Sequence, residues 1–225
     1  MITLKFHGHA TFQIYGAGQS ILIDPWFRGN PEIGAVPDDL DPTLILVTHN
    51  HTDHVGDAIE ISKRYKAPIV TTPSLARHYE GEGATSNRVH LGGRLVYDWG
   101  TIKCVPAFHD SPLAIGETWR VDLGAACGFV LTIDEVSIYH AGDTALYSDM
   151  QLFAPVDYAL LPIDGKMVME PADAVRAGRF LQARTLIPMH WRQEDPDAFA
   201  ESARAAGFDS FAMSRGQTVE LKHSS

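Results

Sequence analysis

The sequence has few cysteines, no long hydrophobic run and fewer basic than acidic residues. Its two cysteines, Cys104 and Cys127, are too few for a disulfide framework, so we expect reduced, partly buried thiols in a cytoplasmic protein. No apolar run approaches the roughly 18 residues of a membrane span, and residues 1–7 lack the apolar core of a signal peptide. With 18 basic and 28 acidic residues, the formal net charge of -10 disfavours nucleic acid and anionic membranes as partners.

The chain also lacks a linker, a low-complexity segment and a repeat of fixed period. Its 225 residues, 45% of them hydrophobic, are enough to bury one substantial core. We therefore predict a single domain over residues 1–221, followed by a short frayed tail over residues 222–225.

Short apolar runs separated by glycine and proline predict alternating strands and helices. Residues 2–6, 11–15 and 20–23 have the pattern of an antiparallel meander, and residues 43–47 are typical of a strand buried on both faces. Further strands are predicted at residues 69–72, 95–97, 101–105, 128–133, 136–139, 158–161, 185–188 and 219–221, and helices at residues 56–65, 75–79, 172–181 and 196–206. Hairpins followed by helices in each half indicate an α+β (mixed α/β) fold of two stacked sheets with helices outside.

Histidine is the residue type in excess, with 11 in the chain, or about twice ordinary usage. Four potential metal ligands, His49, His51, Asp53 and His54, follow the buried strand with the spacing H-x-H-x-D-H. If His49 and His51 continue the strand, the period of two turns both imidazoles the same way, so one ion can bind both. Asp53 and His54 follow where the chain turns into a helix and can serve a neighbouring ion. The spacing therefore predicts two metal ions.

Two such ions need about four ligands each, so other segments must supply donors. His109, Asp143 and His190 each follow a predicted strand. Strand ends that lie at one edge of stacked sheets converge, and open sheets bind ligands outside such ends. We therefore predict that these three residues complete the site.

The seven candidate ligands resemble the ligand set of the metallo-β-lactamase superfamily, in the same order along nearly the whole chain. They are His49, His51, Asp53, His54, His109, Asp143 and His190. The segments G-H-A-T-F at residues 8–12, I-L-I-D-P at 21–25, L-P-I at 161–163 and M-E-P-A-D-A at 169–174 are similar to a group of compact metal-dependent hydrolases related to the ascorbate-6-phosphate lactonases.

The resemblance implies a four-layer αβ/βα sandwich with two metal ions at one sheet edge. It implies that one ion is bound by His49, His51 and His109. It assigns Asp53, His54 and His190 to the other ion, with Asp143 bridging the two. Zinc is the expected metal, and Mn²⁺, Ni²⁺ or Fe²⁺ suit the same donors.

Two divalent ions close together lower the pKa of a shared water and polarise the reacting oxygen of a substrate, which predicts metal-assisted hydrolysis. Asp53 and Asp143 are the expected catalytic residues. The expected substrate is a small ester, lactone, amide or phosphoester, and an anionic one is compatible with two cations at the site. Relatives also suggest a homo-oligomer.

Two other functions remain open from the sequence. One is a di-iron oxidoreductase of the same fold, although such enzymes replace the second loop histidine with glutamate, whereas this chain has His51. The other is a non-catalytic, metal-stabilised binding subunit, against which the complete ligand set argues.

Four further residues have unsettled roles. His9 either reaches the site or is a satisfied core histidine; we expect the second and leave His9 out of the ligand set. Asp24 is either an acceptor that fixes a ligand histidine or a turn residue before Pro25. Lys166 and Arg192 are candidate contacts for an anionic substrate group.

Overall fold

The computed structural model describes residues 1–115 and 119–223. The strands in chain order are β1 (Ile2–Gly8), β2 (Thr11–Gly16), β3 (Gln19–Ile23), β4 (Leu44–Leu46), β5 (Ile69–Thr71), β6 (Ser86–Arg88), β7 (Arg94–Tyr97), β8 (Gly100–Pro106), β9 (Pro112–Ile115), β10 (Trp119–Asp122), β11 (Cys127–Ile133), β12 (Val136–His140), β13 (Tyr158–Pro162), β14 (Thr185–Met189), β15 (Asp209–Ser210) and β16 (Thr218–Leu221). The α-helices are α1 (Thr52–Val55), α2 (Ala58–Tyr65), α3 (Pro73–Gly81), α4 (Pro171–Phe180) and α5 (Pro196–Ala205), and a 3-10 helix spans Ser148–Phe153.

Within these residues, the strands form two seven-stranded sheets and a separate β9–β10 hairpin. The first sheet has the order β16-β1-β2-β3-β4-β5-β6, and the second has the order β15-β14-β13-β12-β11-β8-β7. The antiparallel pairs β1–β2 and β2–β3 confirm the predicted meander. Since each antiparallel pairing reverses direction, β1, β3 and β4 run the same way, as do β8, β12, β13 and β14.

The buried side chains confirm the four-layer α+β arrangement. Ile21 and Ile23 lie in the core between the sheets, whereas Leu22 packs on the outer face with α2 and α3, as the period of two in a strand requires. Helices α4 and α5 cover the second sheet, and α5 packs on β14. Helices α3, α4 and α5 each have proline in the first turn, where its missing N–H costs no hydrogen bond.

Several predicted boundaries were wrong. The helix predicted at residues 56–65 begins later, at Ala58, and a separate short helix, α1, ends at Val55. The φ of +38° at Gly56 separates the two helices. Sequence reasoning missed β6, β9, β10 and β15, which are short or polar and lack a clear apolar period.

The predicted tail is anchored at its start. The Lys222 amide donates to the Tyr158 hydroxyl at 2.9 Å, and His223 Nδ1 lies 3.4 Å from Asp157 Oδ2. Residues 224–225 of the predicted tail lie outside the described residues. Among the described helices, none has the length and apolar character needed to cross a bilayer.

Candidate metal centre

The seven predicted donors lie together at the edge where the like-directed strands end. The loop after β4 carries His49 and His51, and the short helix α1 that follows carries Asp53 and His54. His109 follows β8, Asp143 follows β12, and His190 follows β14 directly. Their donor atoms form groups whose members lie within 4.8 Å of one another: His49 with His51 and His109; His9 with Asp53, His54 and His190; and His49 with His54 and Asp143.

Three imidazole nitrogens converge in the group that we call the three-histidine group, His49, His51 and His109. His51 Nδ1 lies 3.0 Å from His49 Nε2 and 3.2 Å from His109 Nε2. His49 is fully buried, whereas the side chain of His51 is 25% exposed and faces Asp110, with 3.6 Å between Nε2 and Oδ1. The group therefore has a buried side and a side open to solvent.

Thr48 and Asp24 fix which nitrogen of His49 carries its proton. The Thr48 hydroxyl donates to Asp24 Oδ2 at 2.7 Å, so it must accept from His49 Nδ1, which lies 3.0 Å away. His49 Nε2 then presents a lone pair to the centre. Asp24, left open between two roles, has both: its φ of +45° turns the chain before Pro25, and its carboxylate orients the site.

The second group, which we call the aspartate group, comprises His9, Asp53, His54 and His190. Asp53 Oδ2 lies 3.4 Å from His9 Nε2 and 3.9 Å from His190 Nε2. His54 Nδ1 donates to Asp24 Oδ2 at 2.8 Å, which leaves its Nε2 directed at the centre. His54 and His190 are buried, and Asp53 is 26% exposed.

Asp143 lies between the two groups. Its Oδ1 is 3.2 Å from His54 Nε2, and its Oδ2 is 3.1 Å from His190 Nε2 and 3.7 Å from His109 Nε2. The preceding Gly142 has a φ of +61°, and a Cβ there would lie 2.6 Å from the Cys127 carbonyl oxygen. Glycine at this position lets the loop after β12 approach the loop after β4.

The charges of the site follow from burial and from its carboxylates. Burial lowers the pKa of His49 well below its ordinary value, with His54 adding to the effect, and burial also lowers the pKa of His109. Both rings are therefore neutral at neutral pH and can offer a lone pair to a metal.

In the aspartate group, the pKa of His54 is shifted in the opposite direction. Burial disfavours a charge on His54, but Asp143 and Asp24 outweigh it and raise the His54 pKa well above its ordinary value. Burial likewise opposes ionisation of Asp143, and the neighbouring His54 and His190 outweigh it and lower the Asp143 pKa. Positive charge is thus favoured between Asp24 and Asp143.

The residues fit a pair of divalent ions. Imidazole and carboxylate donors suit Zn²⁺ and its neighbours in the first transition series. Among the described residues, six buried side-chain polar atoms make no hydrogen bond. Three of them, His9 Nε2, His54 Nε2 and Asp143 Oδ1, belong to the donor groups of this centre. A buried polar atom without a partner costs about 1–3 kcal/mol, and a bound cation would remove that cost.

Sequence reasoning missed His9 and Asp164. His9 Nε2 makes no hydrogen bond among the described residues and lies 3.4 Å from Asp53 Oδ2, so the structure places His9 beside the centre. The signal was present, because His9 follows β1 as His190 follows β14. Buried Asp164 follows β13 at the same edge, with its Oδ2 4.0 Å from His190 Nδ1.

The two candidate anion contacts differ in position. Arg192 lies beside the aspartate group, with its Nη2 4.0 Å from Asp53 Oδ2 and its Nε 3.5 Å from Asp164 Oδ2. Lys166 is exposed and has no ion pair within the part of the chain that the structure describes.

Cavities flank the centre on both sides. One of about 370 Å³ borders the aspartate group and is lined by His9, Asp53, Trp26, Trp191 and Arg192, among others. Another of about 360 Å³ borders His51, between α1 and the β9–β10 hairpin, and includes Arg120. Volumes of this size accommodate small molecules.

Comparison with known proteins bears on both the fold and the family. Residues 3–190 match the protein family described as the beta-lactamase superfamily domain. A UPF0173 metal-dependent hydrolase from Opitutus terrae is 40% identical over 225 residues, which cover 97% of this chain and 99% of that protein.

Solved structures agree. Igni18, a metallo hydrolase from the hyperthermophilic archaeon Ignicoccus hospitalis, superposes with a TM-score of 0.88 at 29% identity, covering 98% of this chain and 99% of that chain. YhfI from Bacillus subtilis, a metallo-beta-lactamase fold protein, has a TM-score of 0.73 at 14% identity, over 98% of this chain and 100% of that chain, and shows the fold alone. The chain therefore belongs to the beta-lactamase superfamily, in the group of UPF0173 metal-dependent hydrolases.

Proposed function

We propose that the protein is a dinuclear metal-dependent hydrolase acting on a small ester, lactone, amide or phosphoester. The observation that carries the proposal is the position of Asp143, whose two oxygens lie 3.1–3.7 Å from nitrogens of His54, His190 and His109. One carboxylate thus faces donors from both groups, as a bridging ligand must. The names of the relatives, which describe metal-dependent hydrolases, support the same reaction class.

The pair of divalent ions, with zinc as the expected metal, would supply a hydroxide nucleophile at neutral pH and a positive charge for the reacting oxygen of the substrate. The residues of the chain supply the geometry. The Asp24 carboxylate orients both His49 and His54. It accepts a hydrogen bond from the Thr48 hydroxyl, which contacts His49, and it accepts one directly from His54. Asp53 is 26% exposed beside the cavity that borders the aspartate group, where its carboxylate can accept a hydrogen bond from the attacking water.

Substrate size and charge follow from the surroundings of the centre. Cavities of about 370 and 360 Å³ suit a small molecule, and Arg192 in the larger one can pair with a carboxylate or phosphate. The net charge of -10 disfavours nucleic acid and membranes as partners. The two buried cysteines are free thiols, which supports a cytoplasmic location.

A substrate screen tests this proposal. The metal-reconstituted protein is assayed on phosphodiester, lactone, thioester and amide substrates beside an Asp143→Ala variant. We expect turnover on at least one class, with a loss of roughly 1,000-fold or more in the variant. Unchanged turnover in the variant would refute the bridging role. Tightly bound redox-active iron, detected by mass spectrometry and an optical spectrum, would favour oxidative chemistry instead.

A further inference from the structure

His9 is a buried histidine whose ring is directed at the aspartate group. Its ring centroid lies 4.0 Å from that of His190 and 5.7 Å from that of His54, and its Nε2 lies 3.4 Å from Asp53 Oδ2. Within the described residues this nitrogen has no hydrogen bond. A buried nitrogen without a hydrogen bond destabilises the fold, so a ligand bonded to it would stabilise the fold.

The backbone around His9 is unusual in a way that aims the side chain. Gly8 has a φ of +131° and His9 a φ of +56°, so the chain turns sharply after β1. The His9 carbonyl accepts a hydrogen bond from the His190 amide at 3.0 Å, and His190 also has a positive φ, of +50°. Two left-handed histidines from different sheets therefore hold each other, and their imidazoles are fixed side by side.

We propose that His9 Nε2 is a metal ligand in the aspartate group, beside Asp53, His54 and His190. This inference rests on the proposed dinuclear function and adds a ligand to one of its ions. Donors bonded to one ion at about 2.0–2.2 Å lie roughly 3.0–3.6 Å apart at angles of 90–110°, and farther at wider angles. The separation of 3.4 Å between Asp53 Oδ2 and His9 Nε2 falls in that range.

The added ligand makes the two metal positions chemically different. With Asp143, the aspartate group offers five protein donors, whereas the three-histidine group offers four. Four donors suit tetrahedral zinc, whereas five donors would suit an ion that readily takes more than four ligands, such as Mn²⁺.

The test uses variants that keep the backbone turn. Asparagine and glycine both tolerate the left-handed conformation, so His9→Asn and His9→Gly remove the imidazole without straining the chain. Metal content is measured by mass spectrometry, and affinity by competition with a chromophoric chelator. Cobalt substitution gives an absorption spectrum that reports the coordination number of each ion.

We expect the wild-type chain to bind two ions and both variants to bind one of them at least about tenfold more weakly. The cobalt spectrum should shift toward lower coordination, and free imidazole, which can enter the adjoining cavity, should restore the affinity of His9→Gly. His7→Gln is the matched control, because His7 is a buried histidine whose Nε2 lies 2.9 Å from Gln13 Oε1, outside both groups. It should leave both affinities unchanged.

Wild-type affinity and an unchanged cobalt spectrum in His9→Asn would overturn the proposal, as would a failure of imidazole to restore binding to His9→Gly. These outcomes leave the hydrolase function standing if the wild type binds two ions and turns over substrate. A wild type that hydrolyses nothing, yet loses one ion on removal of His9, would overturn the proposed function and support the ligand.

Discussion

The two donor groups that meet at Asp143 differ in charge and in support. The three-histidine group has only imidazoles of its own, and its nearest further carboxylate, Asp110, is 68% exposed and 3.6 Å from His51. The aspartate group contains Asp53 and has buried Asp24 hydrogen-bonded directly to His54. A cation is therefore held by more buried negative charge in the aspartate group. The comparison teaches that the two positions are unequal, and we expect the aspartate group to fill first.

Asp143→Ala should have the largest effect, because it removes the residue that the two groups share. We expect the variant to lose both ions on desalting and to lose stability by about 3 kcal/mol, since His54 then faces Asp24 alone in a buried site. Metal analysis measures the bound ions, and chemical denaturation measures the loss of stability. Asp157→Ala is the control: Asp157 is buried and bonds Ser137 at the opposite end of β13, so it should lower stability and keep both ions.

Removing one imidazole from either group, in two separate variants, should show that each group binds its own ion. We expect His109→Ala to keep the ion of the aspartate group and His190→Ala to keep the ion of the three-histidine group, so that each variant binds one ion instead of two. Stoichiometry from metal analysis checks this. Loss of both ions in both variants would show that the groups bind cooperatively rather than as unequal positions.

Asp24→Asn tests the support behind the ligands. Asparagine tolerates the φ of +45° and keeps the size of the side chain. The two carboxylate oxygens of Asp24 accept from the Thr48 amide, the Thr48 hydroxyl and His54, whereas an asparagine has one acceptor oxygen and an NH2 group that cannot accept. We expect metal affinity to fall by about 10–100-fold, mostly at the aspartate group, in a chelator competition. Asp57→Asn removes another buried carboxylate, which accepts from the Phe27 and Arg28 amides, and should leave affinity intact.

The smallest effect concerns His140, a buried histidine outside both groups. Burial lowers its pKa, against the opposing effects of Asp24 and the Ala10 carbonyl. Because the folded pKa lies below the unfolded value of about 6.5, the unfolded chain binds a proton first as pH falls, and stability declines below about pH 6.5. Above about pH 6.5, the protonation of His140 should not change the stability.

We expect His140 to lower the free energy of unfolding by up to about 1.4 kcal/mol for each pH unit in this window. Wild type and His140→Gln are compared by chemical denaturation at pH 7.5 and pH 5.5 in excess chelator, so that metal binding does not contribute. Parallel pH dependences in the two proteins would show that His140 takes up its proton equally in both states.

Much of the centre could be predicted from the sequence because its residue types carry the chemistry. The spacing of His49, His51, Asp53 and His54 identifies a metal loop, and the strand-end rule adds His109, Asp143 and His190. His9 also follows a strand, but the sequence does not show that this strand ends beside β14. Its role depends on β1 and β14 ending side by side, which the hydrogen bond from the His190 amide to the His9 carbonyl records.

The fold likewise has elements that the sequence predicts and elements that it does not. Buried strands such as β4 and β13 have apolar runs that predict them, whereas the edge strand β6, Ser86–Arg88, is polar and exists because β5 offers it hydrogen bonds. The β9–β10 hairpin bounds the cavity beside His51, so part of the surface beside the centre is not predicted by the sequence pattern.

Anomalous diffraction from crystals of the metal-loaded protein tests the central claim most directly, which is that two unequal donor groups share Asp143. The account predicts two metal peaks roughly 3.5–4 Å apart, with Asp143 bonded to both. One is bonded to the three-histidine group, and the other to the aspartate group, His9 included. A single peak at full metal loading, or two peaks with Asp143 bonded to neither, would contradict it.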